Sequence, residues 1–147
     1  MEPDLYETWR PRLLRFCTHL LRHSHDAEEV VQDVFAKLLA KPGVYALEVD
    51  AGVLLFRLAR NRCIDVRRKK APESRDDLVV LARDERRGAE LSEALGFLSF
   101  EEREVLLLTT IEELGYREVA VILRCSLGTV AARKYSAIQE LARRLAP

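Results

Sequence analysis

Between Gly115 and Ile138 the chain reads GYREVAVILRCSLGTVAARKYSAI, two helical patterns that meet across only Arg124, Cys125 and Ser126. Tyr116 to Leu123 sets Val119, Ala120 and Leu123 on one side, and Ser126 can cap the helix that follows. In that second helix Val130, Ala137, Ile138, Leu141 and Leu145 are expected to form the buried face. So short a step makes two helices cross steeply, and the small Ala120 permits close approach, which is helix-turn-helix geometry. The second helix of such a motif enters the DNA major groove by its amino-terminal turns. A slim, hydrogen-bonding start at Ser126 and Thr129, extended by Arg133 and Lys134 on the exposed side, suits phosphates and base edges. For this stretch alone, a plain helical hairpin in a bundle core is the alternative.

The remainder is also helical in pattern. From Asp4 to Arg22, Leu5, Trp9, Leu13 or Phe16, and Leu20 recur at helical spacing, with Pro11 an irregularity at which the segment would kink or divide. A break is expected at His23, Ser24 and His25. In DAEEVVQDVFAKLL, Ala27, Val30, Val31, Val34, Phe35, Leu38 and Leu39 line one face, and Asp26 with Glu29 resembles a capping box. Lys41, Pro42 and Gly43 end that helix. Asp50 can cap a third, LLFRLARNRCIDVRRKK, apolar along Val53, Phe56, Ala59, Cys63 and Val66 and closed by Pro72. Residues 71–88 are charged and read as a linker, partly helical at most. A helix near Leu91 follows, then LSFEEREVLLL, whose Ser99 and Glu102 have capping-box spacing. The organisation expected is all-α, with an N-terminal unit over 1–70, the linker, and a C-terminal unit over 89–147.

Charge is neutral overall, with 24 basic and 24 acidic residues, yet unevenly spread. Residues 57–70 hold 7 basic and 1 acidic side chain, and residues 124–147 hold 5 and 1. Two basic islands at the ends of helical units point to anionic partners, although each alone could be a solvated face. Apolar runs such as Val53 to Phe56 are far shorter than the roughly 18 to 20 residues of a membrane span, and Glu2 and Asp4 stand where a secretory signal carries cations. A cytoplasmic place without membrane insertion is expected. Three separated cysteines, Cys17, Cys63 and Cys125, read as reduced thiols, Cys125 being a small partly buried one rather than a redox sensor. Cys17, His19 and His23, with His25 nearby, lack an evident fourth ligand for a metal. No Gly-rich phosphate loop or nucleophile elbow is present, so neither an enzyme nor a cofactor is indicated.

Taken in order, DAEEVVQDVFAKLL, LLFRLARNRCIDVRRKK, LSFEEREVLLL and GYREVAVILRCSLGTVAAR resemble the extracytoplasmic-function (ECF) group of bacterial RNA polymerase sigma factors, from about Leu5 to Leu145. The resemblance implies two helical domains, a region 2-like one and a region 4-like one. It implies docking of the first on the clamp helices of the polymerase largest subunit through Asp26, Glu29, Gln32 and Asp33. The plain reading of that polar face is solvent and cap. It implies further that Arg57, Arg60 and Asn61, with Lys41, Arg67 and Arg68, approach the promoter −10 region. Asn61 suits such a role because its amide both donates and accepts. The connector from Lys41 to Val49 would wall a pocket for a flipped base, whose capture offsets a few kcal/mol of unstacking. Ser126, Thr129, Arg133 and Lys134 would read the −35 region. The flap of the second-largest polymerase subunit and an anti-sigma factor are the further partners implied.

The chain departs from the family pattern at Arg124, where Gly is usual in the turn, and at Ala131, Ala132, Ser136, Ile138 and Gln139, where Lys, Ser and arginines are usual; Leu39 replaces an aromatic residue. Fewer phosphate contacts should weaken DNA affinity and flatten its salt dependence. A polymerase-binding regulator that no longer reads DNA therefore stands as the second reading, and a dimeric helix-turn-helix repressor as a third that leaves the first 70 residues unexplained.

Overall fold

A computed structural model describes residues 3–41, 50–70 and 85–145. Seven helices follow one another among them: α1 Pro3–Leu21, α2 Ser24–Ala40, α3 Ala51–Lys69, α4 Glu85–Gly96, α5 Phe100–Leu106, α6 Tyr116–Leu123 and α7 Leu127–Leu145. α5 continues into a wider π-helical turn, Leu107–Ile111. The described residues contain no strand, in line with the all-α expectation.

α1, α2 and α3 pack mutually, burying Leu13, Phe16, Leu20, Val30, Val31, Val34, Phe56 and Ala59. α1 runs unbroken through Pro11, because Pro11 and Glu7 both lie on the exposed side, where the carbonyl left unpaired by the missing N–H can meet water. The break before α2 is narrower than expected, only Arg22 and His23, with Ser24 and His25 already helical. Its cap also differs: His23 Nδ1, not Asp26, accepts the Asp26 backbone N–H at 3.1 Å. Asp50 does cap α3, accepting from Gly52 N at 2.8 Å, and Ser99 with Glu102 closes the capping box of α5.

The second unit assembles on α5, α6 and α7, with Leu107, Leu108, Val119, Ile122, Val130 and Ala137 inside. Its apolar interior is continuous with that of the first unit, since α6 packs on α3 and the π-helical turn on α1. Hydrophobic burial thus joins two units that the charged segment separates in sequence. α4 begins at Glu85, inside the stretch read as linker, while residues 71–84 and 42–49, including most of the connector expected to wall a base pocket, lie outside the described residues.

Candidate nucleic-acid interface

α3 carries the first basic island. At about 100° per residue, Arg57, Asn61 and Arg68 share one outward strip, and Arg60 and Arg67 lie on the flank beside it. The outward strip is partly open: Asn61 and Arg68 are exposed and Arg57 half-buried, and Arg68 Nη2 reaches Asp65 at 3.1 Å. On the flank Arg60 is largely covered, whereas Arg67 stays exposed while touching the second unit. Arg60 donates to the buried carboxylate of Glu104 on α5, and the Arg67 guanidinium lies 4.4 Å from the centroid of the Phe100 ring. Of the six side chains expected at the −10 region, Lys41, Asn61 and Arg68 are exposed and Arg57 half-buried, and Arg60 and Arg67 are engaged by the second unit.

Glu104 and Glu112 are the residues that sequence reasoning passed over. Both side chains have no exposure, and both hold arginines of the first unit. Arg12 Nε donates to Glu112 Oε1 at 3.1 Å and its Nη2 to the Glu112 carbonyl at 3.0 Å; Arg15 reaches both carboxylate oxygens at 2.9 and 3.0 Å. Arg103 reinforces the joint from the other side, donating to the carbonyls of Leu20, Leu95 and Leu98. A signal existed in the sequence: Glu104 falls on the Phe100, Leu107, Leu108, Ile111 face of its helix, a core position where a carboxylate is rarely left unless a cation meets it. Burial pushes the Glu104 carboxyl up, opposed by Arg60, and burial together with the charge of Arg15 holds His19 below its ordinary range.

The polar face of α2 is divided as well. Glu29, Gln32 and Asp33 are exposed, Asp33 in a 2.8 Å pair with Arg62 on α3. Asp26, expected with them, is buried and faces Lys70 Nζ at 3.2 Å, so it is removed from that surface. Beside Asp33 a concavity of about 360 Å³ opens between α2 and α3, lined by Val34, Lys37, Leu58, Arg62 and Asp65.

In the helix-turn-helix, Arg124 closes α6 in the left-handed region at φ 57 and ψ 50, and Cys125 N–H reaches back to the Ala120 carbonyl at 3.1 Å. The turn therefore keeps the backbone conformation that glycine favours although the residue is arginine, at a cost of roughly 1 kcal/mol. Ser126 caps α7 through the Thr129 N–H at 3.1 Å, and the two hydroxyls bond each other. Arg133 and Lys134 correct the expectation that they stand on the exposed side. Both are half-buried on the flanks of the core face, Lys134 5.7 Å from the Tyr116 ring centroid and Arg133 near enough to act on the Glu104 charge. Ile138 and Leu145, expected inside, are 46% and 66% exposed, because they lie about 80 to 100° around the helix from Ala137.

His23 caps a helix and Cys17 sits in the core, and no cluster of three potential metal ligands occurs among the described residues. Cys63, wholly buried beside Cys17, has its thiol pushed far up by burial, so it stays protonated and unreactive. No described helix is long and apolar enough to cross a membrane.

Residues 5–73 match the family Sigma-70 region 2, and residues 88–141 match Sigma-70, region 4. Over 94% of its length the chain is 30% identical to the ECF RNA polymerase sigma factor SigE of Mycolicibacterium smegmatis, of which it spans 59%. It is 25% identical to SigW of Bacillus subtilis and 28% identical to SigK of a Mycobacterium species, spanning 87% and 79% of those proteins. The fold is similar to that of RpoE of Bartonella quintana, solved in complex with the anti-sigma factor NepR, with a TM-score of 0.81 at 24% identity over 99% of this chain and 100% of that one. It is also similar to CnrH, solved with the cytosolic domain of CnrY, with a TM-score of 0.77 at 23% identity, covering 97% and 85% of the two chains.

Proposed function

The chain belongs to the ECF group of the sigma-70 family, carrying region 2 and region 4 in that order, and from this premise we propose that it directs core RNA polymerase to promoters and assists their melting. The observation that carries the proposal is the pairing, in one chain, of a helix that turns Arg57, Asn61 and Arg68 outward with a helix-turn-helix in α6 and α7. Residues 1–70 act as the polymerase-docking and −10 unit, residues 71–88 as linker, and residues 89–147 as the −35 unit.

Glu29, Gln32 and Asp33 form the polymerase-facing part of α2. Asn61 and Arg57 meet the opened strand, Lys41 and Arg68 hold its phosphates, and Arg60 and Arg67 join them once the second unit lifts from α3. Ser126 and Thr129 start the −35 reading helix, with Arg133 and Lys134 contributing from its flanks. No chemical step on DNA is needed: base capture offsets the unstacking cost, and the polymerase supplies the catalysis. The protein acts in the cytoplasm, held by an anti-sigma partner as RpoE of Bartonella quintana is by NepR. A polymerase-binding regulator without −35 recognition is the second reading, favoured by the missing charge on the outer face of α7.

Purified protein with core RNA polymerase on a genomic fragment library should yield RNA starts that share −10 and −35 sequences. Asn61→Ala with Arg57→Ala should remove them while leaving core binding intact. Core binding without specific starts would move the assignment to the regulator.

A further inference from the structure

We infer that the outer face of α7 reads thymine methyl groups in the major groove, an inference that rests on the −35 reading above and specifies its ligand. The face is described by Leu127, Gly128, Ala131, Ala132, Tyr135 and Ile138, all exposed and none charged. These residues follow one another at spacings that keep them on one side of the helix, opposite Val130 and Ala137, which are fully buried. In the closed arrangement of the two units the face remains open to solvent.

Base edges in the major groove are told apart by chemistry. Guanine is met by Arg or Lys, adenine by Asn or Gln, cytosine by an acid, and thymine by an apolar contact with its C5 methyl. The first two outward turns of α7 hold none of the first three kinds. Ala131 and Ala132 present two adjacent methyl groups, Gly128 one turn earlier lets the backbone come close, and the 67% exposed ring of Tyr135 extends the apolar surface by one more turn. Exposed cations stand at the edges, Arg117 on α6 and Arg124 in the turn, where the phosphates bordering a groove would lie. That combination of a neutral centre and a basic border suits a duplex better than an acidic protein helix, which would leave the helix-turn-helix geometry without a use.

The test uses the full chain at low salt with a pool of duplexes carrying a randomised segment, followed by remaking the enriched sequence with deoxyuridine for thymine. Uracil differs from thymine in this groove only by the missing methyl. The expected result is an enriched run of adjacent thymines, bound about fourfold more weakly for each methyl removed, the worth of one buried methylene. Ala131→Arg, an exposed change that leaves the core untouched, should shift one position of the preferred sequence to guanine. Equal binding of thymine and deoxyuridine copies would overturn the inference while leaving −35 recognition standing. Failure of any sequence to be enriched would overturn both and mark the face as a protein-docking surface, a result that transcription from −10 elements with core polymerase would not share.

Discussion

Arg60 on α3 and Glu104 on α5 form a two-point ion pair, Nε to Oε1 at 2.9 Å and Nη2 to Oε2 at 3.3 Å, that ties the proposed −10 helix to the −35 unit. The glutamate side chain has no exposure and the arginine 18%. The same contact therefore fastens the closed arrangement and withholds a cation from DNA, so promoter engagement by Arg60 requires the two units to part.

Removing one partner of such a pair leaves a buried charge alone, which costs more than the pair contributes. Arg60→Ala, which strands the unexposed carboxylate, should lower stability by about 3 kcal/mol in urea unfolding, whereas Glu104→Gln, which leaves the partly exposed Arg60 an amide oxygen as acceptor, should cost less, about 1 to 2 kcal/mol. A loss below about 1 kcal/mol for Arg60→Ala would show that the pair does not hold the units together.

Glu104 also has a pH signature. Its carboxyl is raised by burial, so the folded state holds the proton more tightly than the unfolded chain, and its contribution is present below the ordinary value of 4.5 and lost as pH rises through the folded value. Glu104→Gln should accordingly flatten the stability profile just above pH 4.5, as read by thermal unfolding across pH.

His19 acts with the opposite sense. Buried and beside Arg15, it is held below its ordinary 6.5, so its contribution is complete above that value and is lost as pH falls through the folded value. Acidification from pH 7 should lower Tm more in the wild type than in His19→Gln. Parallel profiles would remove His19 as the titrating group.

Gly52 begins α3 against Trp9, and a Cβ there would stand 2.5 Å from the indole Cη2. Trp9 is itself packed by Arg12, 4.7 Å from its ring centroid, and by the Phe56 edge. Gly52→Ala should cost about 1 to 3 kcal/mol by overpacking, measurable as a lower urea midpoint with an unchanged slope.

Arg124→Gly should stabilise the chain by about 0.5 kcal/mol at most, since relief of the left-handed strain only partly exceeds the added freedom of the unfolded glycine. A destabilised variant would mean that the arginine side chain holds the turn through contacts that outweigh its strain.

The helices are legible in the chain alone, because periodicity and caps are local. Val30, Val31, Val34 and Phe35 on one side of α2, Asp50 before α3, and Ser99 with Glu102 before α5 each act within a few residues. It also carried the order of motifs that identifies the two sigma regions, and the unusual arginine in the turn. The rest depends on partners distant in the chain. Asp26 looked like a cap and a surface acid, and Lys70 together with burial made it neither. Ile138 and Leu145 carried the hydrophobicity of a core and were left outside, since the neighbours of α7 cover only the side that holds Val130 and Ala137. Arg60, legible as a DNA contact, was claimed by Glu104 from 44 residues away. Helical pattern states which residues share a face, whereas the packing of one unit on the other decides which faces remain available to DNA or polymerase.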